Sequence, residues 1–97
     1  MHLGKFTKAA ADEKRYVVDY TDWLDTDETV STVTFLLSPA TNPALVVYDS
    51  SILTGAKKIQ FFVSDGNTGD TYTVLVTITT SGDQTKQDSI LFKVVPA

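Results

Sequence analysis

A chain of 97 residues is one domain with a single modest core, because a domain this small buries only roughly two-thirds of the surface its unfolded chain exposes. It contains no cysteine, which excludes a disulfide framework, a thiolate nucleophile and a cysteine-based zinc site, so stability must come from packing. The net charge of −4, with only eight basic residues scattered along the chain, argues against a nucleic-acid grip, since phosphate binding wants clustered Lys and Arg. No apolar run approaches the roughly 18 residues of a membrane span, and the first residues lack the apolar core of a secretory signal. The expectation is a soluble, unexported protein that touches neither nucleic acid nor membrane.

Residues 1–13 show little periodicity and read as an extended N-terminal arm, docked or frayed, with Phe6 as its one sizeable anchor. Residues 14–20 form a first predicted strand with Tyr16, Val18 and Tyr20 on one side. At residues 21–24 the alternation breaks, which predicts a tight or 3₁₀ turn that tips Trp23 and Leu24 onto the core as a plug for the open end. In residues 29–37, Val33, Phe35 and Leu37 alternate while Val30 is out of phase, so a bulge near Ser31 and Thr32 is needed to bring both sets inward. Pro39 ends that strand, because proline cannot donate to a ladder. Asn42 and Pro43 set the next turn. A short strand over residues 44–48 is interrupted at Asp49, and residues 52–55 read as a small edge strand. Residues 57–63 put Ile59, Phe61 and Val63 inward, and a polar loop with Gly66 and Gly69 follows.

The strongest pattern lies at the end. Tyr72, Val74, Val76 and Ile78 fall at every second position, and after the turn at residues 81–84 so do Ile90, Phe92 and Val94. Such a hairpin presents one apolar face and one Thr/Lys face, and it needs a second layer over the apolar side. Six or seven short strands with turn signals between them and no helical period predict a single all-β, immunoglobulin-like antiparallel sandwich over residues 14–97. Tyr72, entering the penultimate strand after a glycine loop, suits a tyrosine corner, where the hydroxyl returns to upstream backbone.

Reactive chemistry is sparse. The one histidine is His2, in the arm, so a serine–histidine–aspartate arrangement is not expected, and no catalytic residue, cofactor or metal ligand is assigned. Residues 19–28 carry five carboxylates, Asp19, Asp22, Asp25, Asp27 and Glu28, with no basic residue among them. That density is solvated, faced by a basic partner, or bridged by a cation; the solvated reading is the general rule for charge runs. The loop over residues 65–70 has the Asp/Asn spacing of a calcium loop, but its second glycine is at the fifth position and no glutamate stands at the twelfth. Gly, Asn and Asp are what a hairpin loop demands in any case.

Several segments together resemble a known family. Phe6, Thr7 and Lys8, then Tyr16, Asp19, Trp23 and Leu24, then Thr29, Val30 and Ser31, then Gly66, Gly69, Tyr72 and Val74, then Ile78 with Thr80 are similar in order and spacing to the small fibre-tail adaptors of tailed bacteriophages. The chain departs from that pattern at Ala9 and Ala10, where an Asp-Pro pair is usual, at Asp27 and Glu28, and at Asp65. The resemblance implies an immunoglobulin-like virion protein of the tail or neck, made in the bacterial host and present in several copies, that links the tail tube or portal region to fibres. It implies structural roles for Trp23, Leu24, Tyr72, Gly66 and Gly69. Phe6 in the arm and the five carboxylates, Asp19 to Glu28, are the residues expected at a partner interface. A free-standing adhesion or carbohydrate-binding sandwich is the competing expectation.

Overall fold

A computed structural model describes residues 2–39 and 43–97. Met1 of the expected arm and Asn42 of the expected turn lie outside the described residues. Seven strands, β1 (His2–Lys8), β2 (Lys14–Asp19), β3 (Val30–Ser38), β4 (Leu45–Ile52), β5 (Lys58–Asp65), β6 (Thr71–Thr80) and β7 (Thr85–Val94), make an all-β sandwich. One sheet has the order β1-β7-β6-β3 and the other β2-β5-β4. All pairings are antiparallel except β1 with β7. If the strands are matched to the A–G of an immunoglobulin-type sandwich, the arrangement is compatible, with the first strand on the sheet of the last one.

The β6–β7 hairpin forms because alternation and register agree. Tyr72 lies opposite Phe92 and Val74 opposite Ile90, and these residues with Val76, Ile78 and Val94 are buried on one face. Ile59, Phe61 and Val63 of β5 cover that face from the other sheet. Aromatic rings bridge the layers: Tyr16 of β2 meets Phe92 edge-on at 5.0 Å, and Phe35 of β3 lies 5.0 Å from Phe61. Such pairs add to burial through the complementary charge of ring face and edge. The bulge near Ser31 and Thr32 is present as a register shift between Val30 and Thr32, and Val30 is buried.

Two elements differ from the local reading. Residues 2–8 run parallel to β7 as an edge strand, held by Phe6, whose ring lies against Tyr16 and Phe92. Lys8 is buried there, its ammonium donating to the carbonyls of Ala9, Ala10 and Asp65. Burial lowers its pKa, although Asp12 and Asp65 oppose the shift. β4 also does not stop at Asp49. That residue takes a left-handed φ of 50°, and pairing resumes beyond it at Ser51 and Ile52. A bulge therefore carries one strand where two were expected.

At one end of the sandwich the β5–β6 loop turns back on itself. Asp65 and Gly66 have φ of 62° and 99°, the left-handed region that glycine enters without strain. A methyl group on Gly66 would stand 2.7 Å from Val94 Cγ2, so the position needs glycine for space as well. The Tyr72 hydroxyl accepts from Asn67 N at 2.8 Å and donates to Pro43 O at 3.3 Å, which closes this end.

Candidate docking surface

The acidic residues run from Asp19, the last residue of β2, along the β2–β3 connection, at the opposite end from the Tyr72 corner. After β2 the chain turns tightly: Trp23 N and Leu24 N both donate to Tyr20 O, at 2.9 and 3.0 Å. This brings Leu24 into the core and packs Trp23 against it, half-buried. A second turn, closed by Glu28 N donating to Asp25 O, puts Asp27 at a φ of 65°.

Glu28 explains why this loop holds its shape. It is only 6% exposed. Its Oε2 accepts from the Thr80 hydroxyl at 2.6 Å and its Oε1 from Asp25 N at 3.0 Å. These bonds, the Thr80 hydroxyl foremost, hold its carboxyl below the ordinary 4.5, as charge-assisted bonds to an anion do. Ser81 N donates to Thr29 O, and Thr29 N to the Ser81 hydroxyl. The acidic loop and the β6–β7 turn are thus one unit.

The remaining carboxylates divide. Asp19 accepts from the hydroxyl and backbone N–H of Thr21, which hold its pKa down, and stands 3.9 Å from Lys58. Asp25 accepts from Gln84 Nε2 at 3.0 Å. Asp22 and Asp27 are exposed and make no hydrogen bond or ion pair among the described residues. Asp83, on the hairpin turn, brings a further exposed carboxylate to the same unit.

Three shallow hollows gather all six residues expected at a partner interface. Asp25, Asp27 and Glu28 line one of about 330 Å³ together with Ser81 and Gly82. Asp19 and Asp22 line a second of about 320 Å³, beside Tyr20, Trp23, Lys86 and Asp88. Phe6, 41% exposed, lines a third of about 240 Å³ with Tyr16 and Ile90. The second and third adjoin at Val18 and Asp19, which line both, and the pair forms the trough along β2.

Sequence reasoning passed over Lys86 and Asp88. The alternation that puts Ile90, Phe92 and Val94 inward also assigns positions 88 and 86 to that face, and Asp88 is 0% exposed. Lys86 answers it, with the ammonium 3.3 Å from Asp88 Oδ1 and 5.4 Å from the centre of the Trp23 ring. Among the described residues no group of three or more His, Asp or Glu side chains is placed to hold a metal ion, and no helix is long and apolar enough to cross a membrane.

Comparison with known proteins finds no match among curated proteins. Against family models, residues 8–93 match the one described as "Podophage GP4 fiber-tail adaptor protein gp77". That stretch runs from the buried Lys8 through β2 to β6 and nearly all of β7, so the chain belongs to the podophage fibre-tail adaptor family, a family of structural tail proteins.

Proposed function

We propose that this protein is a non-enzymatic virion part that docks tail fibres onto the tail or the portal region, and that the partner-facing side is the trough from Phe6 to Trp23 together with the acidic loop. The family match over residues 8–93 carries the reading. The architecture supports it physically: a packed two-sheet body, 43 Å in its longest dimension, gives a rigid base, and a loop tied down by Glu28 presents Asp22, Asp25 and Asp27 in a fixed pattern. Fixed charges favour a basic partner patch and steer its approach. Copies repeated around a symmetric tail multiply individually weak contacts into a lasting attachment. Residues 1–13, which bring Phe6 to the trough, belong to the same contact. Glu28 supports the surface from behind.

The test is made in the phage. Replacing Asp22, Asp25 and Asp27 together by Ser leaves Glu28 and its bonds intact. Virions carrying the triple variant should lack fibres or shed them in moderate salt, while the purified chain keeps its fold by circular dichroism. Fibre content equal to wild type would remove the acidic loop from the interface.

A further inference from the structure

Resting on the docking reading, we propose that the hollow between Trp23 and Asp88 is a receptor for one basic side chain of the partner protein, foremost an arginine. Its volume of about 320 Å³ is at the low end for a ligand pocket and leaves ample room for one long side chain beside Lys86. Val18 and the Trp23 indole give it apolar walls, Tyr20 and Asp88 are its buried floor, and the exposed Asp19 and Asp22 stand at its mouth.

Three carboxylates, Asp19, Asp22 and Asp88, therefore face two cations, Lys86 in the hollow and Lys58 at its edge. The Lys86 ammonium, held between the indole face and Asp88, shows in the molecule itself what this hollow takes: a positive charge over an aromatic face, against a buried anion. Asp19 has Lys58 nearby. Asp22 makes no ion pair among the described residues, so the mouth retains an acidic group for a further cation.

The floor supplies an independent observation. Tyr20 is 2% exposed, and its buried hydroxyl has no hydrogen-bond partner among the described residues. Unpaired buried hydroxyls are uncommon in folded proteins and mark places where a partner is missing. Burial and the Asp88 charge keep this phenol protonated well above the usual tyrosine range, so it meets an entering group as a neutral hydroxyl whose lone pairs accept an N–H.

An arginine fits these features together. Its methylene stem lies along Val18 and Trp23, its planar head stacks on the indole, and its forked donors reach both a carboxylate and the Tyr20 oxygen. The adjoining hollow, also lined by Val18 and Asp19, lies where the flanking peptide would run on the side toward Phe6.

Trp23 is the only tryptophan, so its fluorescence reports on this hollow alone. The purified chain is titrated at low salt with acetyl-Gly-Arg-Gly-amide and with the citrulline analogue, which keeps the shape and drops the charge. The arginine peptide should give a saturable change in the millimolar range, and the citrulline peptide none. Asp22→Asn should weaken binding by about fivefold, the scale of one exposed ion pair. Lys86→Met withdraws the resident ammonium and keeps the stem, so it should tighten arginine binding by about tenfold, and the peptide should raise the melting temperature of that variant, as a ligand of the native state must.

No response to arginine in wild type and Lys86→Met, an equal response to citrulline, or weaker binding in Lys86→Met would each overturn the proposal. Should Lys86→Met fail to fold, the citrulline and Asp22→Asn arms still decide. No virion protein enters this titration, so a negative result leaves the docking reading standing. Arginine binding that survives alongside unaltered fibre content in the triple aspartate variant would fault the docking reading instead.

Discussion

Replacing Tyr72 by Phe removes one oxygen atom from the fully buried corner and nothing else. That oxygen accepts from Asn67 N at 2.8 Å and donates to Pro43 O at 3.3 Å. The first bond is of normal length and the second is long, so the net loss from two bonds is nearer one than two ordinary contributions, about 1 kcal/mol. Asn67 N is left without that acceptor in a half-buried loop, which adds about 1 kcal/mol of desolvation. A total of about 2 kcal/mol corresponds to a fall in Tm of roughly 10 °C for a domain of this size. Urea denaturation followed by circular dichroism measures it, with an unchanged m-value showing that the core and its buried area are intact. Tyr48→Phe is the control, because among the described residues its hydroxyl reaches only an exposed Glu13 at 3.3 Å; that change should cost less than about 0.5 kcal/mol. Equal effects of the two substitutions would refute the claim that the Tyr72 hydroxyl closes this end of the sandwich.

Gly66→Ala should destabilise by about 2 kcal/mol or more, since the new methyl meets Val94 and Leu45 at a φ of 99° and neither the backbone nor the packed side chains can yield cheaply; a Tm within 2 °C of wild type would contradict it. Glu28 makes stability depend on pH. Its folded pKa is depressed, so its contribution is fully present above the ordinary 4.5 and is lost as pH falls through the lower folded value. Tm should therefore drop below pH 4.5 in wild type, and Glu28→Gln should start lower at pH 7 and lose less on acidification. Parallel Tm profiles for the two proteins would show that Glu28 is not the group that titrates.

Much of the fold was legible because its signals are local. The period-two pattern of Tyr72, Val74, Val76 and Ile78 assigns a face without knowledge of the rest, and the out-of-phase Val30 announces its own bulge. β1 left no such signal. Its anchorage comes from Phe6 meeting Phe92 and Tyr16, and its ladder is with a strand near the other terminus. β4 was read as two pieces because Asp49 looks like a terminator, whereas a single left-handed residue lets the pairing continue.

The site was legible as a charge run and opaque in its internal division. Nothing near Glu28 says that it is buried, because the Thr80 hydroxyl that binds it is 52 residues away. Asp88 is the reverse case. Its phase says core and its residue type says surface, and a pattern followed only through the apolar Ile90, Phe92 and Val94 does not reach the Lys86–Asp88 pair or the hollow they line. In a β protein the phase of a strand deserves more weight than the polarity of one residue, provided a counter-charge lies within reach on the same face.

The most direct test of the docking role is cross-linking mass spectrometry on purified virions of the parent phage. The account predicts links from Lys5 or Lys58, the exposed lysines beside the Phe6 to Trp23 trough, to a tail or portal protein and to a fibre protein in the same particles. Absence of the chain from intact virions, or links confined to one of those two classes, would contradict it.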